Sequence, residues 1–138
     1  GPHDAIAHAI PLLKEAGAKR VMPLPVSGPF HSWCMKAAAE KFRDFLAGIP
    51  VAAPAVRFVS SVSGGEERDP ERIRELLWQQ LYSPVRWVDV MKTLGPVDAL
   101  EVGPGTVLTG LAKRTDNAPA IKPAGKLDEL TTESEAGE

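Results

Sequence analysis

Only a few residues in this chain combine a reactive side chain with unusual surroundings. His31 is the foremost, in the stretch PLPVSGPFHSWCM over residues 23 to 35. Two prolines and a Gly-Pro pair place it between an apparent strand and an apparent helix, just ahead of Ser32, which can cap that helix. In α/β proteins, ligand and catalytic groups gather at the carboxyl ends of strands. An imidazole is also the side chain best suited to accept a proton near neutral pH. The pattern alone leaves two readings open, a general base or a loop histidine. Gln80 is the second oddity. It follows Ile73 by seven residues and Leu76 by four, so it points along an apolar helix face, where a buried amide needs partners. Its alternative is a helix-end residue that ties down a loop. Cys34 could pair with His31 as a nucleophile or fill a small core space. His3 and His8 have no carboxylate or thiolate constellation near them and read as solvated. EVGPG, residues 101 to 105, lacks the G-x-x-x-x-G-K-S/T and G-x-G-x-x-G spacings of phosphate-cradling loops, so a tight turn is its reading. No G-x-S-x-G occurs, hence no nucleophile elbow.

The elements that must position these groups can be read from periodicity. Residues 4 to 16 read as a helix on the spacing of Ile6, Ile10 and Leu13, with Pro11 expected to kink or break it and Gly17 to stop it. KRVMPLPV reads as a short strand, whose prolines suggest an edge or a strand end. Residues 32 to 47 read as a helix with Met35, Ala38, Phe42, Phe45 and Ile49 as its apolar stripe. VRFVSSV reads as a strand closed by Gly64-Gly65. Asp69-Pro70 reads as the N-cap and first position of a helix with Ile73, Leu76, Leu77 and Leu81 inward. A further helix is expected near Pro84, with Trp87, Val88, Met91 and Leu94 inward. VDALEV is then a strand, TVLTGLAKR a helix and APAIKP a last short strand. Strands alternating with helices predict an α/β architecture with a mainly parallel sheet.

Composition narrows the class. With 138 residues, 43% hydrophobic and 25% charged, the chain can build a real core. No apolar run approaches the roughly 20 residues that span a bilayer, and there is no signal-peptide pattern, so no membrane partner is expected. A single cysteine fits a reducing cytoplasm and cannot build a thiolate metal site. The net charge of −2 is uneven: residues 126 to 138 hold five acids and one lysine, leaving a body of 15 basic and 13 acidic residues. That tail is expected to be disordered, and the small positive balance of the body makes no case for nucleic acid.

GAKRVMPLPVSGPFHSWCM, QQLYSPVRW and EVGPGTVLTGLAKR, taken together and in this order, resemble the C-terminal half of malonyl-CoA:acyl carrier protein transacylases, the acyltransferase family of fatty acid and polyketide synthesis. The resemblance runs from about residue 5 to 123. It implies an α/β-hydrolase-like core with an inserted ferredoxin-like subdomain. Residues 1 to 26 would be the last helix and strand of that insert, residues 27 to 125 the C-terminal part of the core, and 126 to 138 the tail. It also implies ping-pong transfer of malonyl from malonyl-CoA to the phosphopantetheine thiol of acyl carrier protein through an acyl-serine. His31 of GPFHS would be the base, and the backbone carbonyl of Gln80 would hold its imidazole. Phe30 and Ser27 would line the substrate, and Phe30 would select malonyl. Lys19, Arg20, Lys113 and Arg114 are candidates for carrier-protein or coenzyme A contact. No cofactor is implied, since malonyl-CoA is a substrate. The serine nucleophile, the carboxylate-binding arginine and the oxyanion segment lie upstream in the family. The chain is therefore expected to be a fragment that is inactive alone and partnered by the missing N-terminal part. The alternatives are a piece of a polyketide synthase acyltransferase domain and a non-catalytic α/β binding domain.

Overall fold

The spacing of Ile6, Ile10 and Leu13 produces α1, His3–Glu15, in the computed structural model, which describes residues 1–126. The helix continues through Pro11 as one element, although the missing proline N–H removes one bond of the ladder. It stops at Gly17, which adopts φ 95° while the Ala18 amide donates back to Leu13 O at 3.0 Å. No α1 residue is buried. Residues 19 to 26 do not form the expected strand. Among the described residues nothing pairs with them, two prolines remove donors, and Met22, Leu24 and Val26 stay exposed.

The helix expected from residue 32 begins with a 3-10 turn, Trp33–Met35, followed by α2, Lys36–Leu46. Its buried face is offset from the expected stripe. Ala39 and Leu46 are buried and Phe42 is half-buried, whereas Ala38 and Phe45 are exposed. Met35, Ala39, Phe42 and Leu46 follow each other by four, three and four, a truer helical track than one through Ala38 and Phe45.

VRFVSSV contributes only an isolated antiparallel bridge, Val59↔Glu66. The chain turns back at once, because the Gly64 amide bonds Ser60 O at 2.9 Å and the Ser60 amide bonds Gly65 O at 3.0 Å. Gly64 is obligatory there: φ is 72°, and a Cβ would lie 2.5 Å from Asp89 Cβ. The Asp69-Pro70 start is as expected. In α3, Pro70–Gln79, the Asp69 Oδ1 accepts from the Glu71 amide at 3.2 Å, and Ile73 and Leu76 are buried. Helix α4, Trp87–Leu94, starts three residues after Pro84 and buries Val90 and Met91. Val88 is exposed instead of inward.

Strand β1, Asp98–Val102, α5, Val107–Ala112, and β2, Ala120–Ala124, follow. The strands pair in parallel, Asp98↔Ala120 through Val102↔Ala124, as the alternating pattern predicted. A parallel pair cannot be joined by a tight turn, and α5 lies in the crossover. The chain divides into two compact units, one comprising Gly1–Pro50 with Leu77–Pro84, the other Val51–Leu76 with the described residues from Val85 on. In the second, Val90, Met91 and Ala112 form a core covered by Val59, Trp87, Leu94, Ala118 and Ile121. The first unit runs across the expected boundary at 26/27. The acidic tail, from residue 127 on, lies outside the described residues. No described helix is long and apolar enough to cross a membrane.

Candidate active site around His31

The first unit brings His31 against the turn that ends α3. The helix closes when the amides of Tyr82 and Ser83 both bond Gln79 O, at 3.1 and 2.9 Å, and Pro84 prevents its continuation. This leaves two later carbonyls free to accept from elsewhere. The His31 amide donates to Leu81 O at 2.9 Å, and His31 Nδ1 lies 3.1 Å from Ser83 O. A carbonyl can only accept, so Nδ1 is the donor, and in the neutral imidazole Nε2 then keeps its lone pair. His31 is exposed, so that lone pair is reachable.

The loop holding His31 is locally constrained. Its φ is 60°, in the left-handed region that a non-glycine residue enters only when surroundings impose it. Here the imposition is visible as two hydrogen bonds to one turn, together with the Ser32 hydroxyl donating to Pro29 O at 2.6 Å. Ser32 thus bonds backward into the loop and gives no side-chain cap to the following helix. The Phe30 ring lies over Gly28, where a Cβ would stand 3.2 Å from Cε2, so the Gly-Pro-Phe sequence seats an aromatic ring one residue from the imidazole. Phe30 and Ser27 are both exposed.

Gln80 is half-buried in the same turn, but the main-chain carbonyl hydrogen-bonded to the ring is that of Ser83, three residues further on. Sequence reasoning located the turn and missed the residue, because a backbone acceptor leaves no mark on side-chain type. Cys34 is exposed in the 3-10 turn, not a core residue. His3 and His8 are exposed. Lys19 and Arg20 belong to the first unit and are exposed, with Arg20 Nε 2.9 Å from Met22 Sδ. Lys113 and Arg114 are exposed at the end of α5 in the second unit. No group of three or more potential metal ligands occurs among the described residues.

The EVGPG turn holds an unforeseen buried carboxylate. Glu101 Oε1 accepts from the Leu108 amide at 2.9 Å, and Oε2 accepts from the Thr109 hydroxyl and amide at 2.7 and 2.8 Å. These bonds, the Thr109 hydroxyl first, hold its pKa below the ordinary value despite burial. Glu101 thereby fastens the end of β1 to the first turn of α5.

A histidine fixed through a backbone carbonyl in the first unit and a parallel βαβ pair in the second define the class as an acyltransferase fold once the solved likenesses are considered. An acyl carrier protein S-malonyltransferase from Vibrio cholerae superposes with a TM-score of 0.81 at 40% identity, covering 96% of this chain and 44% of that one. A malonyl-transacylase solved in complex with its type II polyketide acyl carrier protein gives a TM-score of 0.85 at 40% identity, covering 99% of this chain and 45% of that one. The malonyl CoA-acyl carrier protein transacylase of Salmonella typhimurium is 46% identical over 117 residues, 83% of this chain. The chain belongs to the malonyl-CoA:acyl carrier protein transacylase family. It spans 38% of the length of that curated relative. No family model matches it.

Proposed function

We propose that this chain supplies the histidine half of a malonyl-CoA:acyl carrier protein S-malonyltransferase. The carrying observation is His31, held with Nδ1 on the Ser83 carbonyl and Nε2 open. In the complete protein, Nε2 takes the proton of a serine hydroxyl as its oxygen attacks the malonyl thioester carbonyl. The imidazolium then protonates the departing coenzyme A thiolate. In the second half-reaction Nε2 takes the proton of the carrier-protein thiol, sulfur attacks the serine ester, and the proton returns to the serine. The turn carrying Gln80 and Ser83 takes the place that a carboxylate has in a triad. Phe30 and Ser27 lie toward the acyl group. Lys19, Arg20, Lys113 and Arg114 attract an acidic carrier protein or the coenzyme A phosphates.

In this reading residues 1 to 26 are the end of a ferredoxin-like insert and residues 27 to 125 part of an α/β-hydrolase-like core. The working compartment is the cytoplasm. The partners are malonyl-CoA, acyl carrier protein and the remainder of the enzyme. The test is transfer of labelled malonyl from malonyl-CoA to holo-acyl carrier protein by the complete protein, through a hydroxylamine-labile adduct. Absence of both adduct and transfer would overturn the reading.

A further inference from the structure

The acceptor turn can fix His31 only if it is itself held in place against the segment that His31 leads into. The structure holds a group suited to that task. Arg43, in the last turn of α2, places its guanidinium carbon 5.8 Å from the centroid of the Trp78 ring on α3. Trp78 in turn lies against Tyr82, with ring centroids 5.7 Å apart and planes tilted by 42°. Tyr82 sits between Leu81 and Ser83, the two residues whose carbonyls hold His31. Arg43 is oriented from behind, because Nε and the terminal nitrogen both donate to Asp44 Oδ1, at 3.1 and 2.9 Å. A guanidinium over an indole face is favourable, as is a tilted aromatic pair. A planar fork is also harder to replace at such a site than a point charge.

We infer that Arg43, Trp78 and Tyr82 form a positioning clamp that joins α2 to the end of α3 and so fixes the tautomer of His31. The clamp rests on the assignment of His31 as the base only for its catalytic consequence. Its direct consequence, the location of the imidazole proton, is independent of that assignment.

The experiment reads that proton. Histidine-selective nitrogen-15 labelling of the complete protein, with the His31 signals identified by their loss in His31→Gln, reports which ring nitrogen is protonated. The wild type is expected to show the Nδ1–H form, Trp78→Leu a mixture of tautomers, and Trp78→Phe a return toward Nδ1–H. Arg43→Leu, on an exposed helix face, repeats the test without removing core volume and is expected to move the mixture in the same direction as Trp78→Leu. In malonyl transfer, Trp78→Leu is expected to lower kcat about 5- to 50-fold with KM for malonyl-CoA little changed, the scale that loss of an aromatic pair and a cation–π contact converts to. An unshifted Nδ1–H form in both folded variants would overturn the clamp. A shifted tautomer with unchanged kcat would support the clamp and overturn the base assignment of His31.

Discussion

His31 shows how little a side chain's identity says about its chemistry until its neighbours are fixed. An unheld imidazole samples two neutral tautomers, and only one presents Nε2 as an acceptor. The Ser83 carbonyl selects it. His31→Ala in the complete protein is expected to slow serine acylation by about 10²–10⁴-fold, the contribution of a positioned general base. Gln80→Ala should cost far less, since the ring is held by main-chain groups. Pre-steady-state acylation by malonyl-CoA separates the two, and equal losses would assign the Gln80 side chain a direct part. Phe30 carries a second prediction. On the proposed reading its ring, seated on Gly28 one residue from His31, would occupy space that an α-methyl group requires. Phe30→Ser should therefore raise the methylmalonyl-to-malonyl ratio of kcat/KM, within the roughly 10- to 200-fold span of a single methyl discrimination. An unchanged ratio in a folded, active variant would leave Phe30 as packing alone.

Among the elements, the β1–α5 junction depends on one carboxylate. Glu101 satisfies two amides at the start of α5, where the helix end carries partial positive charge, and its low pKa expresses that preference for the anion. A folded-state pKa below the unfolded value gives stability that is complete above the unfolded pKa and is lost as pH falls through the folded one. The unperturbed value is 4.5, so the loss lies in the acid range below it. Glu101→Gln should lower the Tm at pH 7, and the gap from the wild type should narrow as pH drops below that value. Thermal denaturation across pH 3 to 7 measures this. A gap independent of pH would show that the carboxylate charge has no part in fastening the helix.

For the whole molecule, many large apolar side chains are exposed, including Trp33 at 82%, Leu24 at 71% and Phe45 at 66%. Such surface is of the kind that marks a contact face. The 138-residue chain by itself is expected not to acquire malonyl from malonyl-CoA, since no G-x-S-x-G is present to supply the serine. Intact-mass analysis after incubation decides the point, and a stoichiometric hydroxylamine-labile adduct would refute it. In the complete protein, Arg114→Glu should raise KM for acyl carrier protein several-fold at low salt and progressively less as salt screens the field. No change at low ionic strength would remove Arg114 from the carrier-binding surface.

The sequence by itself determined the elements whose signals are local. Asp69-Pro70 started a helix because a capping carboxylate and a pre-set φ act within one turn. VDALEV and APAIKP became the parallel pair, and the order of GPFHS, QQLYSP and EVGPG was enough to reach the family. Tertiary structure decided what depends on a partner distant in the chain. KRVMPLPV has strand composition but no strand to pair with among the described residues. The buried face of α2 is set by Ala39 and Leu46 instead of Ala38 and Phe45, because what packs against the helix decides which track is covered. Val88 of α4 points outward likewise. The acceptor for His31 is a main-chain oxygen 52 residues away. Every residue has a carbonyl, so no residue type could announce it, and only the folded path of the chain brings Ser83 to the imidazole.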